Sequence, residues 1–144
     1  MPKKELEQHY LNTTYSVFID EKKYDIKLEK PLPPVIQKLV NKEKTAVILT
    51  AWNPRSQALS FAENKSRNNE LYLEIKNKPV FNAVGQGEEP SWPAEESYFI
   101  PGIEKSQADI MAVKFEQYAY VWCENEKPAS LIFTHLWQSL NNDC

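Results

Sequence analysis

The run Thr45–Ala51 constrains this chain most. It is mostly apolar, rich in β-formers and free of alternation, so it reads as a central strand with both faces covered. A turn crowded with hydrogen-bonding groups follows at once: Thr50-Ala51-Trp52-Asn53-Pro54-Arg55-Ser56. Next comes Ser60-x-x-Glu63, the pattern of a capping box, in which the Ser and Glu side chains satisfy free backbone donors of a first helical turn. A helix over about Phe61 to Lys76 is expected. At about 100° per residue, Phe61, Leu71, Tyr72 and Ile75 form one stripe, with Asn64 and Asn68 in its middle. An amide buried without partners costs a few kcal/mol, so these two must meet protein, water or a ligand.

The rest of the chain alternates hairpins and single helices. Thr14–Ile19 and Lys23–Leu28 flank the polar Asp20-Glu21-Lys22. The second run sets Tyr24, Ile26 and Leu28 against Lys23, Asp25 and Lys27, the period of a half-buried strand. After Pro31-Leu32-Pro33-Pro34, helical spacing links Leu32, Ile36, Leu39 and Val40 through Asn41. Strands are expected at Pro79–Val84 and Ser97–Pro101, with the long loop Gly85–Glu96 between them. A helix over Ile103–Gln117 should turn Ala108, Met111, Ala112 and Phe115 inward. Tyr118–Cys123 and Ala129–Thr134 make a last hairpin. The order β-β-α-β-α-β-β-α-β-β implies an α+β fold, a mixed and mostly antiparallel sheet with helices packed on it. At 144 residues a single domain over 1–144 is expected, with residues 1–12 as an N-terminal arm and 135–144 as a partly docked tail.

Several chemistries find no support. A net charge of −3 argues against non-specific nucleic-acid binding. No run approaches a membrane span, and no apolar stretch follows Lys3-Lys4 as in a signal peptide. Two cysteines make no disulfide framework or metal pair, and His9 and His135 lack spaced second ligands, so no metal and no cofactor is expected. Gly85-Gln86-Gly87 lacks the third glycine of a dinucleotide loop and is followed by Glu88-Glu89. A reducing, cytoplasmic setting is the simplest reading.

The candidate site gathers at the strand end. Asn53 can fold onto its own backbone. Thr50, Ser56 and Arg55 bring further donors, a set that suits a small anion. Arg67 either pairs with Glu63 one turn back or clamps an anion or carboxylate beside Asn64. Trp92 either anchors its loop to the core or closes it over the site as a lid. Glu96 is the candidate general base of an enzymatic alternative. The first reading is a binding domain for a small polar or anionic molecule that uses Thr50, Asn53, Ser56, Asn64, Arg67 and Trp92. An enzyme on the same pocket is the second. The third is a protein-interaction module anchored by Trp92 and Trp137.

Thr50-Ala51-Trp52-Asn53-Pro54-Arg55-Ser56, then Ser60-x-x-Glu63-Asn64-x-x-Arg67, Trp92-x-x-Glu95-Glu96-Ser97 and Phe115-Glu116-Gln117-Tyr118-Ala119 resemble a bacterial family named domain of unknown function 3293 (DUF3293). The likeness spans about Leu28 to Phe133. Where the family pattern has glycine in its last block, this chain has Glu116. The resemblance implies a small bacterial cytosolic protein and brings no established activity.

Overall fold

The computed structural model describes residues 2–89 and 93–140. Among these residues, seven strands form one sheet: β1 Thr14–Ile19, β2 Lys22–Lys27, β3 Thr45–Leu49, β4 Phe81–Gln86, β5 Glu95–Pro101, β6 Ala119–Glu124 and β7 Ser130–Phe133. Their spatial order is β2-β1-β4-β5-β3-β6-β7, and every pairing is antiparallel. The fold is α+β as the alternation implied, and among the described residues the sheet has no parallel pair. The described residues add five α-helices: α1 Lys3–Leu11, α2 Pro34–Glu43, α3 Phe61–Ile75, α4 Lys105–Lys114 and α5 His135–Gln138.

β3 lies between β5 and β6, and Ala46 to Leu49 are all buried. Alternate residues feed two cores. Ala46 and Ile48 join Val17, Ile26, Ile36, Val40 and Phe99 beneath α2. Val47 and Leu49 join Leu71, Ile75, Ile100, Ala108 and Ala112 beneath α3 and α4. A third, small cluster unites the two ends of the chain, with Leu6, Tyr118 and Trp137 buried together. The nine residues of α1 are too few to stay helical alone, so this docking holds them. α1 and α5 thus both pack into this cluster.

Local chemistry explains most boundaries. The link between β1 and β2 is two residues, Asp20 and Glu21, both left-handed at φ 50° and 66°, the twist that a tight hairpin needs. The capping box of α3 is complete: Glu63 N–H donates to Ser60 Oγ at 3.1 Å, and Ser60 N–H to Glu63 Oε1 at 3.2 Å. The buried stripe of α3 is Asn64, Asn68, Leu71 and Ile75. Phe61 and Tyr72 lie outside it, 65% and 43% exposed. β4 and β5 run further than their apolar cores suggest, so Gly85, Gln86, Glu95 and Glu96 are strand residues and the connection shrinks to residues 87–94. α4 covers only Lys105–Lys114 of the expected Ile103–Gln117. Among the described residues no helix is long and apolar enough to cross a membrane. The sheet's outer strands are β2, with Lys23, Asp25 and Lys27 exposed, and β7, only four residues long.

Candidate functional site

The turn after β3 is held by α3. Asn68 Oδ1 accepts from Ala51 N–H at 2.8 Å, and its Nδ2 donates to the Glu96 carbonyl at 2.8 Å. One turn earlier, Asn64 Oδ1 accepts from Asn53 N–H at 2.8 Å, and its Nδ2 donates to Asn53 Oδ1 at 2.8 Å. Asn53 Oδ1 also takes Leu59 N–H at 3.1 Å. Arg67 donates from Nε to the Ala51 carbonyl at 2.9 Å, and from its guanidinium to the Phe115 carbonyl at 2.8 Å. Gln117 adds Nε2 donation to the Trp52 carbonyl at 3.1 Å. A backbone turn that could not pair with a strand thus has its polar groups satisfied by side chains, which removes the cost of burying them. Arg67 does not pair with Glu63. It ties the end of β3 to the turn before β6.

That second turn is built around Glu116, at φ 58° in the position where the resembled pattern has glycine. The Glu116 carbonyl accepts from Arg55 N–H at 2.8 Å, and its carboxylate meets Arg55 Nε at 2.9 Å. Asn53, Arg55 and Ser56 are left-handed as well, at φ 45°, 54° and 56°. Asn tolerates this region, whereas Arg and Ser stand there at about 1 kcal/mol each. Such strain persists where surrounding bonds over-determine it and collects at functional sites. Ser56 has its own tether, a 2.8 Å hydrogen bond between its Oγ and the Tyr10 hydroxyl of α1.

Beside this braced turn, on the α2 side of the sheet, is a cavity of about 70 Å³. It lies where one end of β1, β3, β4, β5 and β6 comes together, and α1 roofs it with Leu6, His9 and Tyr10. Gly87 allows that roof to sit low: a Cβ there would come within 2.7 Å of the His9 ring. Thr50, Asn53 and Ser56 line the cavity, together with Thr13, Tyr15, Glu95, Ser97 and Gln117.

The sequence candidates therefore divide. Thr50, Asn53 and Ser56 reach the cavity. Asn64 and Arg67 stand behind the turn and brace it. Trp92 lies outside the described residues. Glu96 faces α3 and pairs with Lys65 at 3.0 Å, both side chains more than two-fifths exposed. Its neighbour Glu95 is the carboxylate at the cavity, with Oε2 3.4 Å from Asn53 Nδ2. Trp137 is buried against Phe133, with rings stacked 4.6 Å apart.

Sequence reasoning set Glu95 beside Glu96 and chose Glu96, and it gave Ser97, Gln117, His9 and Tyr10 no place at the site. Extending the period of β5 backwards separates Glu95 and Ser97 from Glu96. Glu95, Ser97 and Phe99 share one face, and Glu96, Tyr98 and Ile100 the other. Tyr10 and Tyr15 keep their phenol hydrogens far above neutral pH, because burial and then nearby charge, Glu95 included, disfavour the phenolate. Burial lowers the His9 pKa below its ordinary value, so that ring is neutral at pH 7. Among the described residues, no group of three or more His, Cys, Asp or Glu side chains is placed to hold a metal ion.

The family model described as "Protein of unknown function (DUF3293)" matches residues 49–120, half of the 144 residues. The chain belongs to DUF3293. No curated protein and no solved structure matches it. The DUF3293 segment contains the braced turn, α3, the β4–β5 hairpin, α4 and the Glu116 turn. It therefore carries the whole brace and most of the cavity wall, while the roof, α1, lies outside it.

Proposed function

We propose that this DUF3293 protein is a binding domain for a small polar molecule held in the cavity under α1. The observation that carries this reading is convergence. Polar groups from α1, the strained turn, β5 and the Glu116 turn meet around one hollow at a common end of five strands, which is the usual make-up of a small-ligand site. The left-handed geometry of Asn53 and Ser56 supports it, since both line that hollow. Size narrows the guest. A water needs roughly 10–15 Å³ of such space, so the cavity has room for about five waters, or a ligand of similar bulk.

The anionic half of the sequence reading has less support than the polar half. Arg67 donates away from the cavity, and the described lining includes no lysine or arginine. A catalytic use of the same hollow would fall to Glu95 rather than Glu96, because Glu95 stands at the cavity.

A thermal-shift panel of small amines, amides, acids and polyols tests the reading, since a ligand that binds only the folded state raises its melting temperature by mass action. At least one compound should raise the midpoint. Ser97→Val, which places methyls in the cavity, should cancel that rise. A panel without any shift, or a shift indifferent to Ser97→Val, overturns it.

A further inference from the structure

The α2 face of the sheet changes character along its strands, and the cavity sits on the change. Ile48 pairs with Phe99 on one side and Val121 on the other, and Val121 pairs with Leu131. Paired residues share a face, so this cross-strand row is wholly apolar. Two residues nearer the α1 end, the same strands bring Ser97, Thr50 and Ala119. One step further on β5 is Glu95, opposite Gly85 of β4. Gly85, Ser97 and Ala119 are small, which leaves the space between sheet and α1 unfilled. Towards the middle of the sheet the cavity meets Ile48, Val121 and Leu131. Beyond the end of β3 it meets Thr50, Asn53, Ser56 and Gln117.

The polar end offers both kinds of hydrogen-bonding group. Tyr10 and Ser56 share one hydroxyl hydrogen at 2.8 Å and keep the other, and Asn53 Nδ2 has a second hydrogen beyond the one given to Glu95 Oε2. Gln117 donates both Nε2 hydrogens to the Trp52 and Phe115 carbonyls, which leaves its carbonyl oxygen as an acceptor. A head group that fits must donate and accept. Charge finds no ready partner there. The described lining includes no lysine or arginine, His9 is neutral at pH 7, and Glu95 is held by Asn53 and by further contacts. Burying an unpaired charge costs far more than burying a neutral group that is hydrogen-bonded.

We propose that the cavity takes a small uncharged amphiphile, with a carboxamide or hydroxyl head among Thr50, Asn53, Ser56 and Gln117 and a short carbon chain laid on Ile48, Val121 and Leu131. This rests on the binding reading above and adds the chemical class of the guest. Space for about five waters suits about five non-hydrogen atoms, the size of propionamide. Each methylene moved from water onto such a row is worth about fourfold in affinity.

The experiment titrates acetamide, propionamide and hexanamide into the isotope-labelled full chain at pH 7, followed by amide chemical shifts, with propionate and propylammonium as charged counterparts. Affinity should rise about fourfold from acetamide to propionamide and fall again at hexanamide, which overfills the space. Both ions should bind at least about tenfold more weakly than propionamide. Val121→Thr, which puts a hydroxyl into the apolar row, should cut the gain from acetamide to propionamide. Equal affinity along the amide series, no binding of any amide, or an ion that binds more tightly than propionamide overturns the amphiphile inference and leaves the binding reading standing. Absence of binding by all five compounds, together with a silent thermal-shift panel, overturns both. Should Val121→Thr fail to fold, the series on the unmodified protein still decides.

Discussion

Replacing Asn68 with alanine tests the claim that the helix amides serve the turn. Asn68 is 3% exposed and Ala51 is fully buried. The substitution leaves the Ala51 N–H with no acceptor, at a cost of about 1–3 kcal/mol for a buried unsatisfied donor. It also removes the bond to the Glu96 carbonyl, a loss of about 0.5–1.5 kcal/mol. That carbonyl keeps Thr50 Oγ1 at 2.6 Å, so no second orphan arises. The total is about 1.5–4.5 kcal/mol, a large part of a typical domain's ~5–15 kcal/mol. With a urea slope near ~2 kcal/mol per molar, the unfolding midpoint should fall by about 1–2 M. Tryptophan fluorescence reads this directly. Asn69→Ala, on the exposed side of the same helix, is the control and should stay within about 0.5 kcal/mol of the parent protein. If Asn68→Ala matches Asn69→Ala, the amide is not a brace, and the account of the turn is wrong.

Three further outcomes follow from the same geometry. Gly87→Ala sets a methyl against the His9 ring, which must leave its rotamer, and should destabilise by about 0.5–1.5 kcal/mol, whereas combining it with His9→Ala should recover most of that; a double-mutant cycle showing no coupling refutes the close approach of α1. Because burial lowers the His9 pKa, the unfolded chain takes up the proton first as pH falls. The stabilisation held by neutral His9 is complete above its ordinary 6.5 and drains away below it. His9→Gln should therefore flatten the stability profile between about pH 7.5 and 5.5, and an unchanged slope would contradict the burial. Cys123 is fully buried and its thiol is pushed up to about 12, so a thiol reagent at pH 8 should modify it only at the rate of unfolding, as mass spectrometry can follow.

Local rules were readable wherever a residue's role depends on its neighbours in the chain. The alternation of Tyr24, Ile26 and Leu28, the capping box of Ser60 and Glu63, and the inward side of α4 at Ala108 and Ala112 need only periodicity and short-range bonds. The family blocks have glycine where Glu116 stands, which spoke against a close turn there, yet the left-handed Glu116 backbone makes one. The rest depends on what meets across space. That Asn64 and Asn68 belong amid apolar neighbours was visible, but their partners, Asn53, Ala51 and the Glu96 carbonyl, arrive only when β3 and β5 pair. The choice between Glu95 and Glu96 hung on where β5 begins, because a shift of one residue exchanges the two faces of a strand. The α1 roof was hardest to foresee. A short polar helix carries little amphipathic signal, and its docking depends on Tyr118 and Trp137 from the far end of the chain.

The outer strands have a consequence for how this molecule behaves in a crowded solution. A sheet of seven strands has two unpaired rims, each a row of backbone groups onto which another chain could zip. On the β2 rim, an incoming strand would bring its residues beside Lys23, Asp25 and Lys27 and strip their water. On the β7 rim it would find only four residues before the backbone coils into α5. Both margins thus discourage fibre growth and edge-to-edge pairing.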